Sequence, residues 1–440
     1  MTDSGETLRA AYFTLGCKLN YSETSEIGKM LAERNILRAS GMEIPDICIV
    51  NTCSVTEMAD KKGRQLIRRL HTRWPEAAIF VTGCYAQLKA DEISAIEGVD
   101  MVVGNDRKME LPQLIDEWIE KRTKRVEITP SLSITRFQGA CERGDRTRWW
   151  LKVQDGCDYF CTYCTIPFAR GRSRSGRIDE LVEQARGAAE AGGKEIILTG
   201  VNVGCFGLDT GESFFELLRR LDEIEGIERF RISSIEPNRL TEEIIDWIAT
   251  DSRAFMPHFH IPLQSGSDAV LRLMNRRYDT SLFASRLDYI KKRIPDAFIG
   301  VDVIAGARGE TKEEWRRSVE FIQSVPYSRL HIFPYSERPG TKAVLLGGEV
   351  DRHERHLRVE ELSRLSDERL REFMRSYVGR ERPVLWEHPT TEDPGVMHGH
   401  TDNYIRVTAP TRPEFLNTVT TARLDSFDLS SPETLRAILL

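Results

Sequence analysis

The sequence predicts an α/β protein in three parts: an N-terminal doubly wound parallel sheet, a central partial (βα)6 barrel and a small C-terminal β-barrel. Short runs rich in Val and Ile alternate with longer amphipathic stretches, a pattern typical of parallel α/β folds. A polar stretch containing Pro130 and Gly139 interrupts this alternation. From Gly379 onward, short strand-like segments are separated by Pro and Gly turns, which predicts an all-β unit.

The first part is predicted over residues 1–120, followed by a linker over 121–148. Helices are predicted at Ser22–Arg34 and Thr56–Thr72, where apolar residues recur at helical spacing. The strands are short and apolar, and they are predicted at Ala10–Leu15, Asp46–Asn51, Ala77–Thr82 and Met101–Val103.

The second part is predicted over residues 149–376 and the C-terminal β-barrel over 377–440. A strongly charged helix, Arg352–Tyr377, is predicted to close the second part. Its six strands are predicted at Trp149–Val153, Glu195–Thr199, Arg229–Ser233, His258–Ile261, Phe298–Ile304 and Arg329–Phe333. Strands that alternate with helices in this way favour an open or partial barrel.

The charge balance excludes a uniformly basic nucleic-acid coat but leaves room for a local basic groove. Among 440 residues, 62 are Lys or Arg and 68 are Asp or Glu, which gives a net charge of −6. The opening segment MTDSGETLRAAYF lacks the basic and apolar regions of a signal peptide. We therefore expect a cytoplasmic protein with neither a membrane nor a DNA partner.

The sequence contains nine cysteines, an odd number that cannot pair completely. A disulfide framework is not expected in a large chain without an export signal. Cysteines of a reducing compartment are core residues, metal ligands or nucleophiles, so their placement decides their interpretation.

The sharpest motif is the C-x3-C-x2-C triplet of Cys157, Cys161 and Cys164, which follows a predicted barrel strand. Ligands of parallel α/β folds collect at the carboxyl ends of strands. Three such thiolates can hold three irons of a [4Fe–4S] cluster and leave the fourth iron open to a small molecule. The alternative is a structural zinc site, which usually needs four ligands in two pairs.

A second group consists of Cys17, Cys53 and Cys84, each of which follows a predicted strand of the first part. If those strands are parallel, the three thiols lie at one edge of the sheet, where they can hold a second cluster. Gly16 and Gly83 precede two of them and allow close backbone approach. The alternative is three unrelated core cysteines.

The other three cysteines are not predicted to hold a cluster. Cys48 alternates with isoleucines inside a strand and is predicted to pack in the core, while Cys141 lies in the predicted linker without an assigned role. Cys205 follows a barrel strand and could approach the barrel mouth.

The triplet, with Tyr163 before its last cysteine, resembles the radical S-adenosylmethionine (SAM) superfamily. The C-terminal segment GHTDNYIRV is similar to an OB-like TRAM barrel. The opening TLGCKLN, with Lys18 after Cys17, resembles the enzymes that act on N6-threonylcarbamoyladenosine at position 37 of tRNA. Other segments resemble the methylthiotransferase branch, namely NTCSVTEMADKKGRQ, VTGCYAQ, LTGVNVG, SSIEP, HIPLQSGSDAVLRLMNRRY and HIFPYSERPGT.

This resemblance implies a tRNA methylthiotransferase with two [4Fe–4S] clusters and SAM as cofactors. It implies that Cys157, Cys161 and Cys164 hold the cluster that coordinates SAM, and that Cys17, Cys53 and Cys84 hold the cluster that delivers sulfur. A radical derived from SAM would remove hydrogen from C2 of the adenine, and a second SAM would supply the methyl group. The implied partners are the tRNA anticodon stem-loop and a reductant such as flavodoxin or ferredoxin.

Several further residues are predicted to contact these ligands. Ser234 and Ser265 are additional strand-end candidates, and Asn20 is expected near the N-terminal cluster or the substrate. The residues predicted to bind SAM are Tyr163, Gly200, Asn202, Ser233, Glu236 and Gln264. The residues predicted to bind tRNA are Lys18, Arg170, Arg172, Arg174 and Arg177, together with Lys61, Lys62, Arg64, Arg68 and Arg69 on a predicted helix.

Two alternatives remain open at the level of sequence. The same chemistry could act on N6-isopentenyladenosine in tRNA or on an Asp side chain of a ribosomal protein. A protein of a different class, a zinc-stabilised RNA-binding protein without catalysis, would also account for clustered cysteines and basic runs.

Overall fold

The computed structural model describes residues 7–144, 146–389 and 393–440 and confirms the α/β fold class. The N-terminal part is a parallel sheet in the order β2-β1-β3-β4-β5-β6. The four predicted strands are present, with ends that differ from the prediction by at most two residues, and β2 and β6 are additional. The strands are β1 Leu8–Thr14, β2 Ile36–Arg38, β3 Ile47–Thr52, β4 Ala78–Gly83, β5 Val99–Val103 and β6 Arg125–Glu127.

Helices cover both faces of this sheet, as in a doubly wound fold. Along β3, Ile47 and Ile49 pack with α1 and α5, while Cys48 and Val50 pack with α2, α3 and α4. The side chains alternate because the side-chain period of a strand is two residues. Cys48 is thus a core residue, as predicted. The helices are α1 Lys18–Ala32, α2 Glu57–Arg73, α3 Cys84–Leu88, α4 Ala90–Ser94 and α5 Leu111–Lys121.

The predicted linker is more ordered than expected. Its first half contains β6, which extends the N-terminal sheet by pairing with β5. Its second half contains a strand, β7 Cys141–Glu142, which pairs antiparallel with the first strand of the central part, and Cys141 is buried there. Residues 121–148 therefore connect the two sheets by contributing a strand to each.

The central part is a partial barrel whose six parallel strands follow the predicted order. Two hydrogen-bonded sheets, β12-β11-β8-β7 and β13-β14-β15, are joined by parallel bridges from Phe230 to Phe255 and from Ser234 to His260. The strands are β8 Trp149–Lys152, β9 Gln154–Asp155, β10 Arg174–Ser175, β11 Glu195–Thr199, β12 Arg229–Ile232, β13 His258–Gln264, β14 Phe298–Ala305 and β15 Arg329–Pro334.

The apolar core of the central part lies between these strands and an outer layer of helices. Leu198, Phe230 and Val301 belong to this core, whereas Arg231 and Asp302, one residue further along their strands, face the barrel interior. The barrel interior is thus polar. The helices are α6 Ile166–Arg170, α7 Ile178–Glu190, α8 Phe214–Asp222, α9 Glu242–Thr250, α10 Asp268–Leu273, α11 Thr280–Arg293, α12 Lys312–Ser324 and α13 Arg352–Arg375.

The C-terminal part is a closed five-stranded barrel in the order β16-β17-β18-β20-β19. It covers the amino ends of the central strands, where Arg229 and Arg231 donate hydrogen bonds to the carbonyls of His400 and Thr401 at 2.8 and 2.9 Å. It therefore forms the floor of the central barrel. The strands are β16 Glu381–Glu387, β17 Val396–Thr401, β18 Arg406–Pro410, β19 Val419–Asp428 and β20 Ser431–Leu439.

Within the described ranges, none of the helices combines the length and the apolar composition needed to cross a membrane.

Candidate active site

Cys17, Cys53 and Cys84 meet at one edge of the N-terminal sheet, and we call them the assembled triad. Cys17 precedes α1, Cys53 follows β3 and Cys84 opens α3 directly after β4. Because β1, β3 and β4 are adjacent and parallel, their carboxyl ends lie side by side. Gly16 has φ +101°, and a Cβ at this position would lie 2.8 Å from Sγ of Cys53. A glycine is therefore needed for the backbone to approach this closely.

N–H groups lie near the sulfurs of the assembled triad. The side-chain amide of Asn105 donates to Cys84 at 3.9 Å, and the backbone N–H groups of Val55 and Asn20 oppose the rise that burial causes in the pKa of Cys53 and Cys17. Burial raises the pKa of the Cys53 thiol to about 12. A metal that binds here must displace protons, as is usual for thiolate sites.

Cys157, Cys161 and Cys164 lie in the loop between β9 and α6, and we call them the loop triad. Burial raises the pKa of Cys164 to about 12. N–H hydrogen bonds to sulfur are a recognised influence on iron–sulfur clusters. Each sulfur of this triad accepts one such bond: Cys157 from the Tyr159 backbone at 3.4 Å, Cys164 from the Ile166 backbone at 3.4 Å and Cys161 from the Arg276 guanidinium at 3.2 Å.

Arg276 is a site residue that our sequence analysis missed. Its guanidinium bridges Cys161 and the carboxylate of Glu236, and it is almost fully buried. Burial raises the pKa of Glu236, and the Arg276 charge opposes that rise. The available signal was the consecutive pair Arg276 and Arg277 after a short helix, since Arg277 also contacts the loop by donating to the Asp158 carbonyl at 2.7 Å.

The two triads lie on either side of one junction between the N-terminal and central parts. Asn105 donates a second hydrogen bond to the Ala169 carbonyl at 2.8 Å, and the Thr165 hydroxyl donates to the Ser54 carbonyl at 3.3 Å. Cys84 is close enough for its charge to raise the pKa of Cys164, after the larger effect of burial. Side chains that support one triad thus contact the loop that carries the other.

A buried network of charges fastens this junction. Glu23 of α1 is fully buried and pairs with Lys108 at 2.6 Å, Lys152 at 2.8 Å and Arg170 at 3.0 Å. Burial alone would raise the pKa of Glu23, but these three cations hold it well below its usual value. Asp155 completes the network by pairing with Arg170 at 3.0 Å. One carboxylate of the N-terminal part is therefore held by cations from both parts.

Two of the residues predicted to contact tRNA, Arg170 and Arg174, are buried in this network instead. Arg170 is 1% exposed and Arg174 is 5% exposed, and Arg174 also pairs with Asp155 at 3.1 Å. Neither guanidinium can reach a phosphate. Arg172 and Arg177 are exposed instead, and they pair with Asp158 and Glu212.

The predicted SAM residues lie at the carboxyl ends of neighbouring strands. Gly200, Ser233 and Gln264 follow or end β11, β12 and β13, and Asn202 is two residues beyond Gly200. The amide oxygen and nitrogen of Asn202 and the hydroxyl of Ser233 are buried without a hydrogen-bond partner among the described residues. Buried polar atoms normally find partners. Those of Asn202 and Ser233 therefore suit a polar ligand.

The remaining candidates near the loop triad are aromatic, thiol or hydroxyl groups. Tyr163 is half-buried between the loop triad and an apolar cluster that includes Met274. Cys205 is 1% exposed and packs against the loop triad, so it is a neighbour of the proposed cluster site. Ser234 bridges to β13, and Ser265 is buried and accepts from the Ser267 backbone.

The structure places the other predicted cations on the surface. Lys18 is exposed at the start of α1, next to the assembled triad, and Asn20 is buried and donates to the Thr52 carbonyl at 3.0 Å. On α2, Arg64 is half-buried and pairs with Glu92 at 2.9 Å. The other predicted cations of α2 are exposed, namely Lys61, Lys62, Arg68 and Arg69.

The donor sets fit iron–sulfur clusters. In the described part of the chain, no group of three His, Cys, Asp or Glu side chains is arranged around one metal ion. In a [4Fe–4S] cluster each iron takes its own thiolate. Two sets of three thiols, with N–H donors beside them, fit two such clusters.

Two family models match the chain. The Radical SAM superfamily matches residues 151–322, and the uncharacterized protein family UPF0004 matches residues 9–104. These ranges contain the loop triad and the assembled triad respectively.

A relative from Bacillus subtilis, the threonylcarbamoyladenosine tRNA methylthiotransferase MtaB, is 40% identical over 90% of this chain and 89% of its own length. The chain belongs to the radical SAM methylthiotransferase family. Another member, the tRNA-2-methylthio-N(6)-dimethylallyladenosine synthase of Acetivibrio thermocellus, is 31% identical over 88% of this chain and 82% of its own length.

A solved structure shows the same fold at low sequence identity. The radical SAM methyltransferase TsrM from Kitasatospora setae has a TM-score of 0.54 and 16% identity, and the match covers 77% of each chain. The methylthiotransferase family uses [4Fe–4S] clusters and SAM. The thiol triads and the unpartnered atoms of Asn202 and Ser233 fit these cofactors.

Proposed function

We propose that this protein methylthiolates C2 of N6-threonylcarbamoyladenosine at position 37 of tRNA. The observation that carries the proposal is the pair of three-thiol sites on either side of one junction. The substrate follows the name of the B. subtilis relative, which is 40% identical over 90% of the chain. The dimethylallyladenosine relative is less similar, at 31% identity.

Bound clusters and SAM supply the radical, sulfur and methyl chemistry that an unactivated aromatic C–H bond requires. The chain's own residues hold and orient these groups. Cys157, Cys161 and Cys164 are the proposed ligands of the cluster that binds SAM. The unpartnered amide of Asn202 and hydroxyl of Ser233 are placed to hydrogen-bond polar groups of SAM.

The strand ends around this site supply further contacts to SAM. Gly200 and Gln264 present backbone there, and Gln264 has φ +70°, which is uncommon for a residue with a side chain. Glu236, held by Arg276, offers a carboxylate on the same side of the barrel. Tyr163 covers the loop with an aromatic ring.

The assembled triad is the proposed holder of the sulfur-delivering cluster. Its thiols lie beside a buried group of cations, and Arg170 is close enough to Cys84 for their charges to interact. The charge of Arg170 favours the thiolates of Cys17 and Cys53 and so opposes the larger effect of burial, which raises the pKa of both thiols. The proposed division of the chain assigns residues 1–120 to this cluster, 149–376 to SAM and 377–440 to the TRAM-like barrel, with 121–148 between them.

Positive charge for the RNA backbone is supplied by exposed cations near the junction. Phosphate contacts dominate the affinity of RNA-binding proteins. Lys61, Lys62, Arg68 and Arg69 line an exposed face of α2, which begins shortly after Cys53. Arg172 and Arg177 supply further exposed cations near the loop triad. The target base must leave its stack to enter the barrel.

The electron donor is a reduced flavodoxin or ferredoxin, and the protein acts in the cytoplasm, where tRNA and a reducing environment coexist.

The test is an anaerobic reaction of the reconstituted protein with SAM, dithionite and tRNA that contains threonylcarbamoyladenosine. Mass spectrometry of the digested nucleosides should find the 2-methylthio product together with 5′-deoxyadenosine. tRNA that carries isopentenyladenosine serves as the control and should remain unmodified. Product on the control tRNA alone, or a preparation that contains zinc without iron and sulfide, would overturn the proposal.

A further inference from the structure

A short segment after the last central strand contacts the chain beside both triads, and we call residues 336–343 the bridging segment. It follows β15 and contains the run ERPGT, to which neither the cofactors nor the RNA give a role. Gly340 has φ +86°, and the Thr341 hydroxyl donates to the Arg338 carbonyl at 2.7 Å. The bridging segment is therefore a turn whose shape is held by its own residues.

The first half of the bridging segment holds the residue that follows Cys53. The Arg338 guanidinium donates to the Ser54 hydroxyl and to the Asp60 carboxylate, both at 2.7 Å. The Ser54 hydroxyl donates in turn to the other carboxylate oxygen of Asp60 at 2.7 Å. Because Ser54 comes directly after Cys53, these three side chains hold the backbone next to one sulfur of the assembled triad.

This contact joins the N-terminal and central parts away from solvent. Ser54 is 1% exposed, and Arg338 and Asp60 are also buried. A buried charge needs a partner and hydrogen bonds, so each of these groups restricts the position of the others. A second contact lies beside the first, since the backbone N–H of Glu57 donates to the Ser336 hydroxyl at 3.1 Å.

The second half of the bridging segment holds the loop triad. The backbone N–H of Ala343 donates to the Thr162 carbonyl at 2.8 Å. Thr162 lies between Cys161 and Cys164 in the sequence. One segment of the central part thus contacts the chain next to a cysteine of each triad.

A direct hydrogen bond joins the same two places. The Thr165 hydroxyl donates to the Ser54 carbonyl at 3.3 Å. Thr165 directly follows Cys164, just as Ser54 directly follows Cys53. The residue that Arg338 holds is therefore the residue that contacts the loop triad, and a displacement of Ser54 changes the separation of the two sites.

We propose that Arg338 is a positioning residue that sets the distance between the assembled triad and the loop triad. The inference rests on the proposed function, in which the radical generated at one triad and the sulfur held at the other must meet at one base. A displacement of about 1 Å can cost such a reaction on the order of a hundredfold in rate. Arg338 acts on this geometry through Ser54.

The test measures methylthio product and 5′-deoxyadenosine in one anaerobic reaction of the iron-loaded protein with SAM, dithionite and tRNA that contains threonylcarbamoyladenosine. Arg338→Met should lower the ratio of product to 5′-deoxyadenosine about tenfold and keep 5′-deoxyadenosine formation within about twofold of the wild type. Ser54→Ala, which leaves the ion pair of Arg338 and Asp60 in place, should lower the ratio about threefold.

Two further variants separate positioning from the loss of an ion pair. Arg338→Met alone leaves Asp60 as a buried carboxylate without its cation, whereas Arg338→Met combined with Asp60→Asn removes both charges. The ratio should stay low in the double variant, because Ser54 is still not held, and a return to the wild-type ratio overturns the inference. Arg329→Gln, which removes an ion pair with Glu433 at the first residue of β15, should leave the ratio unchanged.

A second measurement does not depend on turnover. Pulsed dipolar electron paramagnetic resonance of the iron-loaded protein gives the distribution of distances between the two reduced clusters. The wild type should give one narrow distribution, and Arg338→Met and Ser54→Ala should broaden or shift it. A broad distribution in the wild type, or an unchanged distribution in both variants, overturns the inference.

The outcomes distinguish this inference from the proposed function. If the wild type forms the methylthio product and both Arg338→Met and Ser54→Ala keep the wild-type ratio, the proposed function stands and the positioning role fails. If the wild type forms no such product, the proposed function fails, and the distance distributions alone decide the role of Arg338.

Discussion

The loop triad and the assembled triad present the same three thiols in different ways. Cys157, Cys161 and Cys164 lie within a single loop, and backbone N–H groups of that loop bond to two of the three sulfurs. Cys17, Cys53 and Cys84 come from three separate strand ends and meet only when the sheet has formed. The first site is local, whereas the second depends on the whole N-terminal part.

The charges around the triads also differ. The loop triad has Arg276, whose charge is matched by Glu236. The assembled triad has Arg170 and Lys108 nearby, both buried and both shared with Glu23. A change at the junction should therefore affect the assembled triad more strongly than the loop triad.

The largest expected effect separates the two triads by function. Cys157→Ala should reduce 5′-deoxyadenosine formation to background, because the cluster that binds SAM loses a ligand. Cys84→Ala should retain 5′-deoxyadenosine formation but lose the methylthio product. Both products are measured by mass spectrometry in one reaction. Cys48→Ala, a change to a core cysteine of the same sheet, is the control and should retain about eight irons per chain.

These cysteine variants contradict the assignment if their effects are reversed. Methylthio product from Cys84→Ala, or undiminished 5′-deoxyadenosine from Cys157→Ala, would show that the two triads do not divide the reaction as proposed.

The next largest effect concerns the junction. Glu23→Gln removes the carboxylate shared by Lys108, Lys152 and Arg170, and it should lower the free energy of unfolding by about 3–5 kcal/mol. Urea unfolding measures this loss. The pKa of Glu23 lies well below 4.5, so its contribution is complete above pH 4.5 and the difference between variant and wild type should shrink at lower pH. Glu33→Gln, at the exposed end of α1, should change stability little.

A smaller effect distinguishes the clusters electrochemically. Arg276→Met removes a positive charge and an N–H donor from Cys161, which should destabilise the reduced cluster more than the oxidised one. The potential of the loop-triad cluster should fall by on the order of 50–100 mV. Potentiometric titration followed by electron paramagnetic resonance measures it. Arg277→Met, which removes a contact to the loop but none to sulfur, should shift it less, and a fall in both clusters would contradict this assignment.

The smallest effect concerns the RNA surface beside the assembled triad. Lys61→Gln and Lys62→Gln should each weaken tRNA binding a few-fold and reduce the slope of log affinity against log salt by about one. Binding is measured across a salt series. Lys292→Gln, at an exposed position on α11, is the matched control. Equal slopes in all three variants and the wild type would exclude α2 from the RNA interface.

The sequence alone predicted those parts of the site whose positions depend on where the strands end. Predicted strands end just before Cys17, Cys53 and Cys84, and parallel pairing then brings the three thiols to one edge. The six central strands and the strands of the C-terminal barrel were also predicted, because each strand carries its own pattern of apolar residues.

The partners of charged side chains could not be predicted in this way. Arg170 and Arg174 were expected to bind RNA because they belong to a run of arginines. Their carboxylate partners include Glu23, which is 147 residues from Arg170 along the chain. Arg276 was missed because its partner is a thiol 115 residues away. The two short strands within 121–148 were not predicted, because they pair with sheets that no local pattern reveals.

The pairing of Glu23 with cations from both parts of the chain has a consequence for protein engineering. A chimera that joins the N-terminal part of this chain to the central part of a relative keeps Glu23 and Lys108 but takes its counterparts of Lys152 and Arg170 from the other parent. Where that parent carries no cation at these two positions, the hybrid leaves a buried carboxylate with fewer partners and should express poorly. Moving Lys152 and Arg170 together with α1 keeps the contact intact.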